Sequence, residues 1–223
     1  MSESPQKAAP ENLSVSIYSD LRMKLIIGDL KPAATLSLRT LADEYGVSAM
    51  PVREALRRLA SEGALIGAAK KAYRVPHLTP AEAADLFFVR AVLEGAAAEI
   101  SAELARGSDF KVLGRLVEDM DSAWVKRDAG ALLLANFRFH RHIHALTGNT
   151  TLQSTIDLLF VRSGPWLAHA IINLVEHDSW IARHSDIIRA LRDRDGAKAR
   201  RLMEDDVRWG VQIYRQLCED EVS

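Results

Sequence analysis

Apolar positions recur with two different rhythms along this chain of 223 residues. Up to about residue 78 the periodic runs are short. Tyr18, Leu21, Leu25 and Ile26 repeat at helical spacing, and Gly28 stops that helix. Pro32 marks the turn that follows. Ser37 is placed to cap a second helix over Leu38–Tyr45, ended by Gly46, and Ser48 to cap a third over Met50–Ser61, ended by Gly63. Leu65-Ile66 and Tyr73-Arg74-Val75 then predict two short strands around Ala69-Lys70-Lys71-Ala72. Three helices followed by a hairpin are the pattern of a winged helix-turn-helix.

From Pro80 onward strand signals are almost absent. Helical periodicity predicts segments over 80–106, 109–127, 130–147, 150–162, 177–193 and 196–219, a bundle of six or seven helices. Gly107, Gly130, Gly148-Asn149, Gly164-Pro165 and Gly196 divide them. Thr79 followed by Pro80 is a helix start: a capping oxygen, then proline at the first helical position. The expected fold is mainly α. Residues 1–11 form a disordered lead, 12–76 a winged helix-turn-helix domain, 77–79 a linker and 80–220 an all-helical domain.

Charge sharpens this division. The whole chain has a net charge of −1, which argues against a generally basic, nucleic-acid-coating protein. Residues 1–78 carry 11 Lys and Arg against 8 Asp and Glu, whereas the remainder carries 18 against 22. A basic module is thus joined to an acidic one. The single cysteine, Cys218, excludes an intrachain disulfide and a thiolate metal cluster. No apolar run approaches the roughly 20 residues that span a bilayer, and Met1–Pro10 has no apolar core of a signal peptide. A cytoplasmic location is expected.

In the third helix Val52, Ala55, Leu56 and Leu59 face the core, which leaves Arg53, Arg57 and Arg58 for other faces. An arginine near the N-terminus of a helix in the major groove can fork onto guanine. Ser48 can contact a phosphate as well as cap the helix.

These residues carry a family resemblance. Gly28-Asp-Leu-Lys-Pro32, Leu41-Ala42 and Gly46-Val-Ser-Ala-Met-Pro-Val-Arg-Glu-Ala-Leu56 closely resemble the GntR family of bacterial transcription regulators. The C-terminal half resembles the FadR-type (FCD) effector domain of that family, in its six-helix VanR-like subgroup. The resemblance spans roughly residues 12–220. It implies a homodimeric, ligand-responsive regulator, a repressor by family habit, that binds double-stranded DNA at a short palindromic operator. It implies base reading by Arg39 and Arg53, approach of Met50 and Pro51 to the groove, and wing contacts by Lys70 and Lys71. Two departures stand out. Ala49 replaces the arginine that follows Val-Ser in the family, removing about 1–3 kcal/mol of base discrimination, and Ala72 replaces a wing glycine.

The bundle carries a second signal. Leu132, Asn136, His140 and Ile143 share one helix face. His184 lies among Trp180, Ile181, Ile187, Ile188 and Leu191, and Asp206 among Leu202, Met203, Trp209, Ile213 and Leu217. Three apolar stripes thus each hold a ligand-type residue at their centre. Burying an unpaired carboxylate is costly. A divalent metal would satisfy these groups at once, and so would a closed, metal-free hydrogen-bond network. Two imidazoles, a carboxylate and an amide suit Zn²⁺, Ni²⁺, Mn²⁺ or Fe²⁺, with Zn²⁺ slightly favoured. His144 and His177 are rival ligands. His142 is expected on the opposite, solvent-facing side.

Metal-binding members of the family use one aspartate and three histidines. By that resemblance Asn136 stands at the aspartate position and Asp206 at the last histidine.

Leu86, Val89, Leu93, Ala97, Ile100 and Leu104 form the expected apolar face of the first bundle helix, with Arg90 inside it. A buried guanidinium wants an anion. Glu94, one turn on, is one partner. A small organic-acid effector beside the metal is the other, implied by the resemblance. Arg162 is a second effector candidate. A direct metal sensor and a metal-dependent enzyme are competing functions. Against the enzyme, the chain has no nucleophile elbow, phosphate loop or HExxH pattern.

Overall fold

The computed structural model describes residues 10–68, 72–174 and 177–220. The chain divides into two compact units: the first runs to His77 except for residues 26–29, which group with the second, from Leu78 onward. The first contains α1 (Pro10–Ile26), β1 (Thr35–Ser37), α2 (Leu38–Tyr45), α3 (Ala49–Ser61), β2 (Ile66–Ala68) and β3 (Ala72–Arg74). The second is a bundle of α4 (Pro80–Leu104), α5 (Gly107–Val125), α6 (Ala129–Leu146), α7 (Thr150–Leu174), α8 (His177–Arg192) and α9 (Gly196–Asp220).

In the first unit, Ile17, Leu21 and Leu25 of α1 pack with Leu41 of α2 and Val52, Leu56 and Leu59 of α3 in its buried core. Ser37 caps α2 by accepting from the Thr40 amide at 3.4 Å. Gly46 has φ +64, so the tight turn between α2 and α3 uses a left-handed conformation that favours glycine. Ser48 occupies the cap position of α3, but its side chain makes no capping hydrogen bond. The hairpin is part of a three-stranded antiparallel sheet of order β1-β3-β2, with Leu36 opposite Tyr73. Strand β1 escapes the sequence pattern because three residues carry too little periodicity and its partner is far along the chain.

In the bundle, Thr79 and Glu82 form a capping box before Pro80. The Thr79 amide donates to Glu82 Oε2 at 2.7 Å, and the Glu82 amide to Thr79 Oγ1 at 3.2 Å. Helix α7 does not end at Gly164-Pro165 as expected but continues through Pro165 to Leu174. The proline forfeits one helical hydrogen bond. Packing on both sides outweighs that loss: Leu159 and Trp166 are buried in one cluster with Ala83 and Leu86 of α4.

Helix α4 also differs from its expected facing. Leu86 and Ala97 are buried, but Val89, Ile100 and Leu104 are 43%, 46% and 40% exposed. The core face instead carries Phe87, Arg90, Ala91, Glu94, Ala98 and Ala102. Because α4 is apolar almost all round, periodicity cannot choose a face. Close approach to α9 chooses it. A Cβ on Gly95 would fall 2.6 Å from Glu204 Cγ, and one on Gly210 would fall 2.5 Å from the Phe87 ring. Small residues on both helices therefore let the backbones come together. Among the described residues, no helix is long and apolar enough to cross a membrane.

This packing separates two glycines that helix propensity treats alike. Gly210→Ala gains about 1 kcal/mol of propensity but drives a methyl into a fully packed ring, which costs roughly 1–3 kcal/mol. Gly114→Ala in α5 meets open space and is expected to stabilise by up to about 1 kcal/mol. Thermal unfolding is expected to show a lower Tm for Gly210→Ala and an unchanged or higher Tm for Gly114→Ala.

Candidate DNA-reading face and candidate metal centre

Two exposed arginines of the first unit lie together. Arg39, at the start of α2, and Arg53, in the second turn of α3, are exposed. Both line one surface cleft of about 480 Å³, together with Ala49. Neither makes an ion pair among the described residues. Arg58 is engaged instead: it pairs with Glu62 at 3.3 Å and lies 3.8 Å above the Tyr18 ring. Ser48 is exposed and Met50 is 60% exposed at the tip of α3. Pro51 differs from expectation. It is buried and shapes the first turn of α3, where a missing N–H costs nothing. Lys70 and Lys71 lie outside the described residues.

The bundle brings together charged and polar side chains from five helices, α4, α6, α7, α8 and α9. Glu94 of α4 is completely buried, with Arg90 2% and His140 1% exposed. Arg90 Nε donates to Glu94 Oε1 at 2.8 Å, and Arg90 Nη1 to Ser163 Oγ of α7 at 2.9 Å. The same guanidinium lies 3.8 Å from the centre of the Phe160 ring. The other Glu94 oxygen, Oε2, is 2.8 Å from His140 Nδ1 and 3.3 Å from His144 Nε2, both on α6. On its far side, His140 Nε2 is 3.3 Å from Asp206 Oδ2 of α9. His184 of α8 sits 2.9 Å from Asn136 through Nε2 and 2.9 Å from the Trp180 carbonyl through Nδ1.

These contacts set the charge states. Burial pushes the Glu94 carboxyl up, but the Arg90 charge and the hydrogen bond to His140 outweigh it and hold the group well below the usual range. Burial pushes His140 down, yet its bonds to Asp206 and Glu94 raise it to about 9. Burial pushes Asp206 up, and the nearby His184 and His140 bring it below its usual value. Burial lowers both His144 and His184, which stay neutral. The metal-free cluster therefore balances two cations, Arg90 and His140, against two anions, Glu94 and Asp206.

Its hydrogen bonding is incomplete. Among the described residues, Asp206 Oδ1 and both ring nitrogens of His144 lack a hydrogen-bond partner. With Nδ1–H given to the Trp180 carbonyl, neutral His184 keeps a lone pair on Nε2. Asn136 satisfies that lone pair only by turning its amide N–H toward the ring. Arg90, Asn136, His140 and Asp206 line a cavity of about 30 Å³, room for an ion or one to two waters.

All four expected metal ligands thus converge. Arg90 reaches the cavity, whereas Arg162 is exposed. Helix phase explains this, since Ser163 rather than Arg162 faces Arg90. His142 is half-buried rather than free in solvent, with Nε2 3.1 Å from Asp109 Oδ1. The side chain of His177 lies outside the described residues. Glu94 is the group that periodicity undervalued. Its signal was a lone carboxylate between Ala91, Gly95 and Ala98, one turn beyond a buried arginine.

In metal-free protein the stability contributed by His140 is fully present below its unfolded value of 6.5 and is lost as pH rises toward about 9. The contribution of Glu94 and Asp206, whose values are lowered, is present above the ordinary carboxylate range and lost as pH falls through their shifted values. With chelator present, Tm is expected to fall between about pH 7 and 9. Glu94→Gln, which strands Arg90, is expected to cost about 3–5 kcal/mol. A Tm that stays flat over this alkaline range would contradict the paired state of His140.

Comparison with known proteins agrees with both units. The profile of the GntR family of bacterial regulatory proteins matches residues 13–75, and that of the FCD domain matches residues 85–208. The HTH-type transcriptional regulator McbR of Escherichia coli is 30% identical over 207 residues, covering 92% of this chain and 94% of that protein. The transcriptional repressor GlaR of the same organism is 27% identical, covering 91% and 96%. A solved structure of E. coli McbR superposes with a TM-score of 0.87 at 29% identity, covering 92% of this chain and 98% of the other. These relatives are regulators, and the chain is not an enzyme. It belongs to the GntR family of transcription regulators and carries that family's FCD effector domain.

Proposed function

We propose that this regulator is a homodimeric, ligand-responsive repressor that binds a short palindromic operator in the cytoplasm. The observation that carries the DNA reading is the pair of unengaged guanidiniums, Arg39 and Arg53, on one cleft beside the exposed tip of α3. Lys70 and Lys71 add wing contacts by family resemblance. Repression is supported by the name of the relative GlaR. Dimerisation is supported by the outward face of α4, where Phe88, Val89, Val92, Ile100 and Leu104 form an exposed apolar stripe. The six bundle helices fit the VanR-like subgroup.

The bundle fits a divalent metal. His140, His184 and Asp206 offer ligand atoms that all lie within 4.8 Å of one another. Asp206 Oδ1 lacks a partner, and the Trp180 carbonyl fixes His184 with its lone pair inward. Asn136 supplies an amide oxygen once its side chain turns. The two-histidine, one-carboxylate set suits Zn²⁺, Ni²⁺, Mn²⁺ or Fe²⁺. When bound, the ion supplies a Lewis-acidic anchor for an anion. Charge favours a small carboxylate. A dication that displaces the His140 proton leaves Arg90 and the ion, at +3, against Glu94 and Asp206, at −2. One anionic charge restores balance, and the Arg90 fork matches a carboxylate.

A second reading, direct metal sensing, is favoured by the cavity of about 30 Å³. That volume takes an ion and water, so an organic acid must open the pocket to enter. Operator release by metal alone separates the two readings.

Arg53→Ala is expected to weaken operator binding by roughly 1–3 kcal/mol per half-site with fold and dimer intact. Unchanged affinity in a fluorescence-anisotropy titration would remove Arg53 from the interface. Val92→Glu is expected to yield monomers by light scattering.

A further inference from the structure

The two ring nitrogens of His140 face two different sets of donors. Nε2 points to Asp206, in the set with His184 considered above. Nδ1 points to Glu94 Oε2, and His144 Nε2 approaches the same oxygen. Glu94, His140 and His144 also offer ligand atoms within 4.8 Å of one another, and all three residues are buried. A tetrahedral ion with bonds of about 2.0–2.2 Å holds its donors roughly 3.3–3.6 Å apart. The separations of 2.8 and 3.3 Å around Glu94 Oε2 need only a slight widening to meet that. Arg90 occupies Oε1, so Oε2 is the oxygen left to an ion.

His144 supplies the independent sign of a ligand. It is fully buried, and among the described residues neither ring nitrogen makes a hydrogen bond, Nε2 coming no nearer than 3.3 Å to Glu94 Oε2. A buried imidazole without a partner is costly. A cation on the Nε2 lone pair removes the part of that cost that belongs to Nε2.

We propose that Glu94, His140 and His144 form a second metal-binding position, exclusive of the first. A neutral imidazole has one lone pair and one N–H. An ion on Nε2 leaves Nδ1–H to donate to Glu94. An ion on Nδ1 leaves Nε2–H to donate to Asp206. Either arrangement pairs a ligating histidine with a carboxylate, and both cannot hold an ion together. The first position links α6 to α8 and α9, and the second links α6 to α4. Movement of the ion across the ring changes which helices are joined. This inference rests on the metal reading of the bundle.

The test is a Co²⁺ titration of metal-free, full-length protein, read by calorimetry and visible absorption, with circular dichroism to confirm folding. Wild type is expected to bind one Co²⁺ per chain. His184→Ala is expected still to bind one, within about a hundredfold of wild-type affinity and with altered absorption bands. His144→Leu, which keeps an apolar side chain in the site, is expected to bind one through the first position. The double variant His184→Ala/His144→Leu is expected to bind none. Loss of all binding in His184→Ala overturns the second position and leaves the first standing. Binding by the double variant, or two ions in wild type, overturns the exclusive arrangement. A wild type that binds no Co²⁺ overturns both positions.

Discussion

A carboxylate with no access to water lies at the centre of the helical bundle, and the surrounding helices are arranged by what it requires. Glu94 receives Arg90 on one oxygen and His140 on the other, with His144 close behind. Arg90 reaches on to Ser163 in α7, and His140 to Asp206 in α9. One buried anion thus links α4, α6, α7 and α9 by polar contacts that tolerate little displacement. Such a network is weak evidence for stability, because the desolvation of its members offsets their attraction.

Packing holds that network in place. Gly95 and Gly210 let α4 and α9 approach closely, which fixes the register of Glu94 and Asp206 around His140. The opposite side of α4 pays for this choice with exposed Phe88, Val89 and Val92. In a helix that is apolar nearly all round, the small residues close the core and several larger ones are left exposed. In the DNA-reading unit the arrangement is simpler. Apolar faces of α2 and α3 are consumed by the core, and Arg39 and Arg53 are exposed and without an ion pair among the described residues.

Much of this was legible from residue pattern. Gly46 and Ser37 marked the turn and cap between short helices, and the stripe-centred Asn136, His140, His184 and Asp206 converge as their periodicity implied. What escaped has particular causes. The core face of α4 depends on which neighbouring helix can come close, a fact held in Gly210 and Phe87 far from each other in sequence. Strand β1 is defined by its partner β3. Helix α7 survives Pro165 because Leu159 and Trp166 are packed on either side. Arg162 falls on the wrong side of the same helix, one residue from the buried Ser163. Glu94 was visible as the neighbour of Arg90, but its contact with two histidines required the placement of α6.

On the proposed metal reading, the balance of charge around His140 links this geometry to sensing, because an ion bound to either ring nitrogen displaces the His140 proton. Anomalous diffraction at the zinc edge from crystals grown with Zn²⁺ tests this most directly. The expected result is one peak about 2.0–2.1 Å from a ring nitrogen of His140. Zinc bound only elsewhere on the molecule, with the His140 ring still bridging Glu94 and Asp206, would contradict it.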